Sequence, residues 1–182
     1  MPNAIRFPYD RERAVNAVLW LLGRHNGTLE KLKLVKLLFY ADRAHLAKYG
    51  RPITGGMYSA MPHGPVASAL YDDLKSWDCD VQHAPVRISG KHVTARKQLD
   101  AESLSESDVE ILTQIDREYG GLSALALRAM THRLKAYKKN FHPGAGIRSF
   151  PLPYEDFFLD LPKNSILDIL RDDQEARAVF QQ

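Results

Sequence analysis

Apolar residues recur at three- and four-residue spacing over residues 10–24, where Val15, Val18, Leu19 and Leu22 make one stripe. Asp10 stands where an N-cap belongs, so the spacing predicts a first helix there. Gly27 interrupts the pattern, and Thr28 is placed to cap a second, longer helix that ends at Gly50. In the middle of that helix Leu34, Val35, Leu37, Leu38 and Phe39 cover most of the circumference. A helix apolar on several sides is ordinarily enclosed by other elements, so this stretch is expected to run through the centre of the core.

After Gly50 the period changes. Residues 51–56 carry a proline and two glycines and cannot continue a helix, and residues 57–61 read as a short extended segment. Pro65 suits the first position of a third helix, where its missing N–H would have no partner anyway. Val66, Leu70, Leu74 and Trp77 would form the buried face of that helix. The runs 86–88 and 92–94 flank Ser89, Gly90 and Lys91, which predicts a hairpin. Ser105 with Asp108 resembles a capping box, opening a fourth helix carried by Ile111, Leu112, Ile115 and Tyr119. Gly120 and Gly121 end it. Ser123 then caps a fifth helix, with Leu122 and Leu127 placed for a hydrophobic staple. Residues 140–153 are rich in glycine and proline and read as a surface loop, and a last helix is expected over residues 165–180. The sum is a single domain over residues 1–182, of the α+β class but mainly α. It is expected to be a compact helical domain around a central buried helix, with a small antiparallel sheet.

Composition narrows the function. A chain of 182 residues with 45% apolar and 26% charged side chains builds a core without metal or disulfide help. Cys79 is the one cysteine, so neither an internal disulfide nor a thiolate zinc site is available. Residues after Met1 lack the basic-then-apolar build of a secretory leader, and the longest apolar run, 17–22, is far too short to span a bilayer. A cytoplasmic location without membrane attachment is therefore expected. The net charge of +3 is mild and does not demand nucleic acid, although basic residues cluster around Lys33 and again around Lys135.

No set of residues makes a convincing active site. Asp42 and His45 lie one turn apart on the central helix, where a carboxylate could orient an imidazole, but no nucleophile accompanies them. They read as a buried polar pair that hydrogen-bonds neighbouring backbone. Cys79 is flanked by Asp78 and Asp80, which disfavour the thiolate that a Cys79–His83 couple would need. The seven histidines are scattered without metal-binding spacing, and the glycines at 144 and 146 fit no phosphate loop. The chain is accordingly expected to be no enzyme and to use no cofactor or metal. Lys33, Lys36, Tyr40 and Arg43 step by three and four along one face of the second helix. Such a basic stripe can contact an acidic partner or a nucleic-acid backbone, and the same spacing also suits a solvated face.

The run from Lys33 to Asp42 (KLVKLLFYAD), followed by His45 and Gly50, resembles the signature helix of the Panacea, or SocA-like, antitoxin domain. Arg51-Pro52-Ile53-Thr54-Gly55, Tyr58 and Gly64-Pro65-Val66 continue the likeness in order. Leu122-Ser123 and Thr131-His132 resemble a later helix of that family and its short Thr-His motif. The likeness spans about residues 12–160. After Thr131-His132 the family often carries an acidic stretch and a tryptophan, whereas Arg133, Leu134, Lys135, Ala136 and Tyr137 stand here.

This resemblance implies an antitoxin, phage-borne relatives included, that neutralises a toxin encoded beside it by direct protein–protein binding. In part of the family the toxin is presented to an energy-dependent protease. No catalytic residue, metal or cofactor is implied. Leu34, Leu38, Asp42, His45, Gly50, Thr54, Gly55, Tyr58, Gly64, Pro65, Thr131 and His132 are then scaffold, with Leu34, Leu38 and Tyr58 expected in the core. Contact with the partner is expected from Lys33, Lys36, Tyr40, Arg43, Lys135 and Lys138. The alternative is a nucleic-acid-binding autorepressor using the basic residues around Lys33 or Lys135. No helix pair here has the short glycine-containing turn of a helix-turn-helix.

Overall fold

The computed structural model describes residues 4–160, apart from 81 and 145. Its first helix, α1 (Arg11–Arg24), begins where the Asp10 carboxylate accepts the Arg13 N–H at 3.0 Å. Strand β1 (Thr28–Glu30) leads into α2 (Lys31–Tyr49), which ends at Gly50 in the left-handed conformation. Strands β2 (Tyr58–Met61) and β3 (Gly64–Ala67) form a hairpin that runs directly into α3 (Ser68–Cys79). Next comes the expected hairpin of β4 (Val86–Ser89) and β5 (His92–Ala95). Helix α4 (Glu106–Tyr119) opens with the full Ser105–Asp108 capping box, and α5 (Ala124–Arg133) with Ser123 as its cap. Helix α6 (Lys135–Asn140) and strand β6 (Phe150–Leu152) follow, and a 3-10 turn at Tyr154–Phe158 closes the described chain.

The class is as expected: mainly α, with antiparallel β. The β part is two three-stranded sheets, in the orders β1-β5-β4 and β3-β2-β6. Four local expectations need correction. Thr28 does not cap α2; it sits in β1 opposite Thr94, the two hydroxyls 3.0 Å apart, and α2 starts at Lys31 without a side-chain cap. Pro65 does not begin α3; it lies in β3, an edge strand, where a residue lacking an N–H is tolerated. Val66 is buried from that strand and not from a helix. The stretch 140–153 is not all loop, because Phe150–Leu152 pairs with β2 as the other edge of the sheet. The helix expected over 165–180 lies outside the described residues.

Helix α2 is the spindle of the fold. Leu34, Val35, Leu37, Leu38, Phe39, Ala41 and Leu46 are all buried, and α4, α5 and β3 pack around them. Phe39 meets Tyr58 and Phe157 edge to face, with ring centres 5.8 and 5.4 Å away. The loop from α2 to β2 is held by Asp42, which is fully buried. One of its oxygens accepts the Ile53 and Thr54 N–H groups at 2.8 and 2.9 Å. The other accepts the Tyr58 hydroxyl at 2.6 Å and also the Thr54 hydroxyl. Burial raises the Asp42 carboxyl above its ordinary range, and these donors pull against that rise. Gly55, one residue beyond, has φ +71°, and a Cβ there would lie 2.1 Å from the Pro8 carbonyl oxygen. The N-terminal segment can cross the loop only over a glycine.

The Asp42 contacts make a sharp prediction. Asp42→Asn keeps the volume but turns an NH2 group towards either two N–H groups or two hydroxyls. It should lower the unfolding free energy by about 2–3 kcal/mol in urea titrations. An unchanged midpoint and slope would mean that Asp42 does not hold the loop.

Candidate partner-binding site

The basic stripe of α2 is only partly open to solvent: Lys33 and Arg43 are half-buried. Lys36 is only 1% exposed and Tyr40 6%. Lys33 donates to the Gly120 carbonyl at 2.5 Å, closing the end of α4. Tyr40 stacks on Tyr119, ring centres 4.7 Å apart. Arg43 donates to the Phe157 carbonyl at 2.8 Å and lies 5.9 Å from the centre of the Phe158 ring. Lys36 and Tyr40 are thus buried where an exposed face was expected, and Lys33 and Arg43 are half-buried against α4 and the Tyr154–Phe158 turn. Lys135 and Lys138, on α6, are exposed.

Asp42 and His45 do not form a dyad. They share a helix but bond to different partners. His45 Nδ1 lies 2.7 Å from the Arg51 carbonyl, which can only accept, so that nitrogen carries a proton. Nε2 lies 3.0 Å from Ser107 Oγ and 3.1 Å from the buried Asp108 carboxylate. Arg51 reaches Asp108 at 2.9 Å. Burial alone would raise Asp108, but His45, the Ser105 N–H and Arg51 hold it well below the usual carboxylate range. This network ties α2 to α4. Cys79 is exposed, and His83 contacts Asp80 at 3.2 Å. Among the described residues no group of three or more His, Cys, Asp or Glu is placed to hold a metal ion.

A different site emerges where the far side of α2 meets α5. Lys36 donates to the Pro65 carbonyl at 2.7 Å. Gly64 passes so close that a Cβ would sit 2.6 Å from Thr131 Oγ1 and 2.9 Å from Lys36 Nζ, and its φ is +99°. Gly64, Pro65, Lys36 and Thr131 thus interlock, which explains why two distant motifs meet. Lys36 forms part of the floor of a groove of about 470 Å³ between the β2–β3 turn, the start of α2 and α5. Lys31, Lys91, Arg128 and His63 line it, and Glu30 is the one acid of the lining. Leu32, Met61, Tyr71 and Leu125 make its apolar wall, and Leu125 is 70% exposed. A second depression, about 640 Å³, shares Pro62 and Arg128 with the first. It is lined by His132, Tyr137 and Phe141, stacked in series with ring centres 4.4 and 5.0 Å apart.

The electrostatics of the junction are one-sided. Burial, and then the neighbouring Arg128 charge, lowers the Lys36 amine to about 7. Burial, Arg128, Lys36 and His63 together push His132 below its ordinary value. Arg128 Nη2 donates to the Pro62 carbonyl at 3.3 Å, whereas its Nε and His132 Nε2 are buried without a partner. Cationic groups crowd here, and among the described residues of the lining Glu30 is the one carboxylate beside them. Such a place suits an anionic group flanked by apolar ones.

Of this site, Lys36, Gly64, Thr131 and His132 stood out in the sequence, although Lys36 was expected outside. Arg128, Leu125 and His63 did not. Leu125, Arg128 and His132 step by three and four along α5, the spacing that drew attention to α2, and an apolar residue among polar ones was the available signal.

Lys36 gives a pH prediction. Its folded-state amine titrates at about 7, against 10.5 for the unfolded chain, so between these values the unfolded state holds more protons. Stability should therefore rise with pH across that window, by up to about 1.4 kcal/mol per pH unit. Lys36→Met removes this term. The unfolding free energy of the wild type, minus that of the variant, should grow from neutral to mildly alkaline pH. Parallel pH curves would refute a buried, depressed amine.

The profile of the family described as "Antitoxin SocA-like, Panacea domain" matches residues 34–138, more than half of the chain. The matched stretch is narrower at both ends than the likeness read from the sequence. It contains most of α2, the β2–β3 hairpin and α5, the elements that build the groove floor. Comparisons with curated proteins and with solved structures give no match. On the strength of that profile, the chain belongs to the SocA-like, Panacea-domain antitoxin family.

Proposed function

We propose that this protein is the antitoxin of a toxin–antitoxin pair and neutralises, by direct binding, a toxin encoded beside it. Membership of the antitoxin family carries this reading. The groove supports it: Lys36, His63, Gly64 and Arg128, which line it, all fall within the matched residues. The mixed cationic and apolar lining of the groove suits binding, and the reading invokes no catalysis and no cofactor. Handing the toxin to an energy-dependent protease is a finer form of the same activity. The reading takes the cytoplasm as the site of action. No helix among the described residues is long and apolar enough to cross a membrane. The autorepressor alternative would have to use the half-buried Lys33 and the exposed Lys135 and Lys138, because Lys36 is buried.

Co-expression tests this directly. The product of the adjacent reading frame should arrest growth when made alone, and this protein should restore growth while forming a complex with it. A steady toxin level in rescued cells indicates sequestration, and a falling level that recovers when cellular proteases are inhibited indicates delivery. Cys79→Ser should rescue as well as the wild type, because Asp78 and Asp80 beside the exposed thiol disfavour a reactive thiolate. A harmless neighbour, or arrest that persists beside soluble antitoxin, would remove the reading.

A further inference from the structure

We infer that the groove between the β2–β3 turn and α5 receives an acidic, apolar segment of the partner protein, with a carboxylate seated against Lys36 and Arg128. The identity of that partner rests on the antitoxin reading, but the chemistry of the segment is argued from the groove alone. Charge complementarity comes first. Lys31, Lys36, Lys91 and Arg128 line the groove against the single acid Glu30. The Lys36 amine makes one hydrogen bond, to the Pro65 carbonyl, and Arg128 Nε is buried without any. A carboxylate supplies the acceptors that these donors lack, and a pair formed in a recess is worth more than one on an open surface.

The apolar wall selects among anions. Leu32, Met61, Tyr71 and Leu125 flank the cations, and the largely exposed Leu125 side chain stands at the rim. A phosphodiester chain gains nothing from covering these side chains, and it favours open basic tracks that meet successive phosphates. A free phosphate would leave them in water. A peptide that alternates acidic and apolar residues uses both halves of the groove, the acid paying out its charge on the floor and its neighbours covering the wall. Leu125 and Arg128 are three positions apart on one helix, so one short segment can reach both.

The test is a titration of the full chain with a short fluorescent peptide, blocked at both ends, that alternates leucine and glutamate. A glutamine counterpart, a short oligothymidylate and inorganic phosphate are titrated beside it. The acidic peptide should bind at least about ten-fold more tightly than the glutamine peptide and than the oligonucleotide. Arg128→Glu should weaken it by a similar factor. Leu125→Ser, at an exposed position that cannot endanger the fold, should weaken it by several-fold while leaving phosphate unaffected. Thermal melting of both variants verifies that they are folded. Equal binding of the two peptides, no binding by the wild type at millimolar concentration, indifference to Leu125→Ser, or a preference for the oligonucleotide would each overturn the inference. Its fate separates from that of the antitoxin reading. Rescue by the wild type and both variants alike removes the groove and keeps the antitoxin, whereas peptide binding beside a harmless neighbour does the reverse.

Discussion

A helix enclosed on all sides must find a partner for every polar group it carries, and α2 carries Lys36, Asp42 and His45 into the interior. Leaving any of them unbonded would cost a large part of the stability of a domain this size. Each is satisfied by a different stretch of chain. Lys36 holds the carbonyl of Pro65 in β3, Asp42 gathers residues 53–58, and His45 binds the Arg51 carbonyl and reaches Asp108 in α4. The hydrophobic face of α2 gives the core its bulk, but these three side chains decide which loops lie against it. The family likeness of this helix and of the Arg51–Gly55 and Gly64–Val66 segments is therefore one set of hydrogen bonds written in several places.

Much of this was legible in the sequence where a local rule governs it. Asp10, Ser105 with Asp108, and Ser123 act within one turn of their own helices, and each caps as its spacing suggests. The turn around Gly90 is local too. What escaped was decided by pairing at a distance. Strands of three or four residues show no period to read, so β1 and β6 were hidden in what looked like a cap and a loop. Pro65 signals a helix start and an edge strand equally well, and only its partner Ala60 tells them apart. The inward turn of Lys36 likewise depends on distant chain, the Pro65 carbonyl. A lysine between Val35 and Leu37, on a helix apolar nearly all round, is more apt to be enclosed than its charge suggests, provided that a carbonyl waits for it.

The same lysine links scaffold and site. Its stem packs within the core while its amine borders the groove, where Arg128 and His132 add further cationic groups. A cluster that repels itself works against the folded state, and an anion seated beside it would relieve that repulsion. Core and surface are therefore not independent here: the residue that locks β3 in place also tunes the potential that a visitor meets.

The closing turn has a consequence for how the protein is made. Phe157 packs on Phe39 and Tyr58, and its carbonyl holds Arg43, which precedes it by 114 positions. At translation rates of ~5–20 residues per second, the ribosome needs roughly 6–23 s between delivering the spindle and delivering its cover. During that interval the aromatic flank of α2 has no lid. The newborn chain is then at its most open to chaperones and proteases.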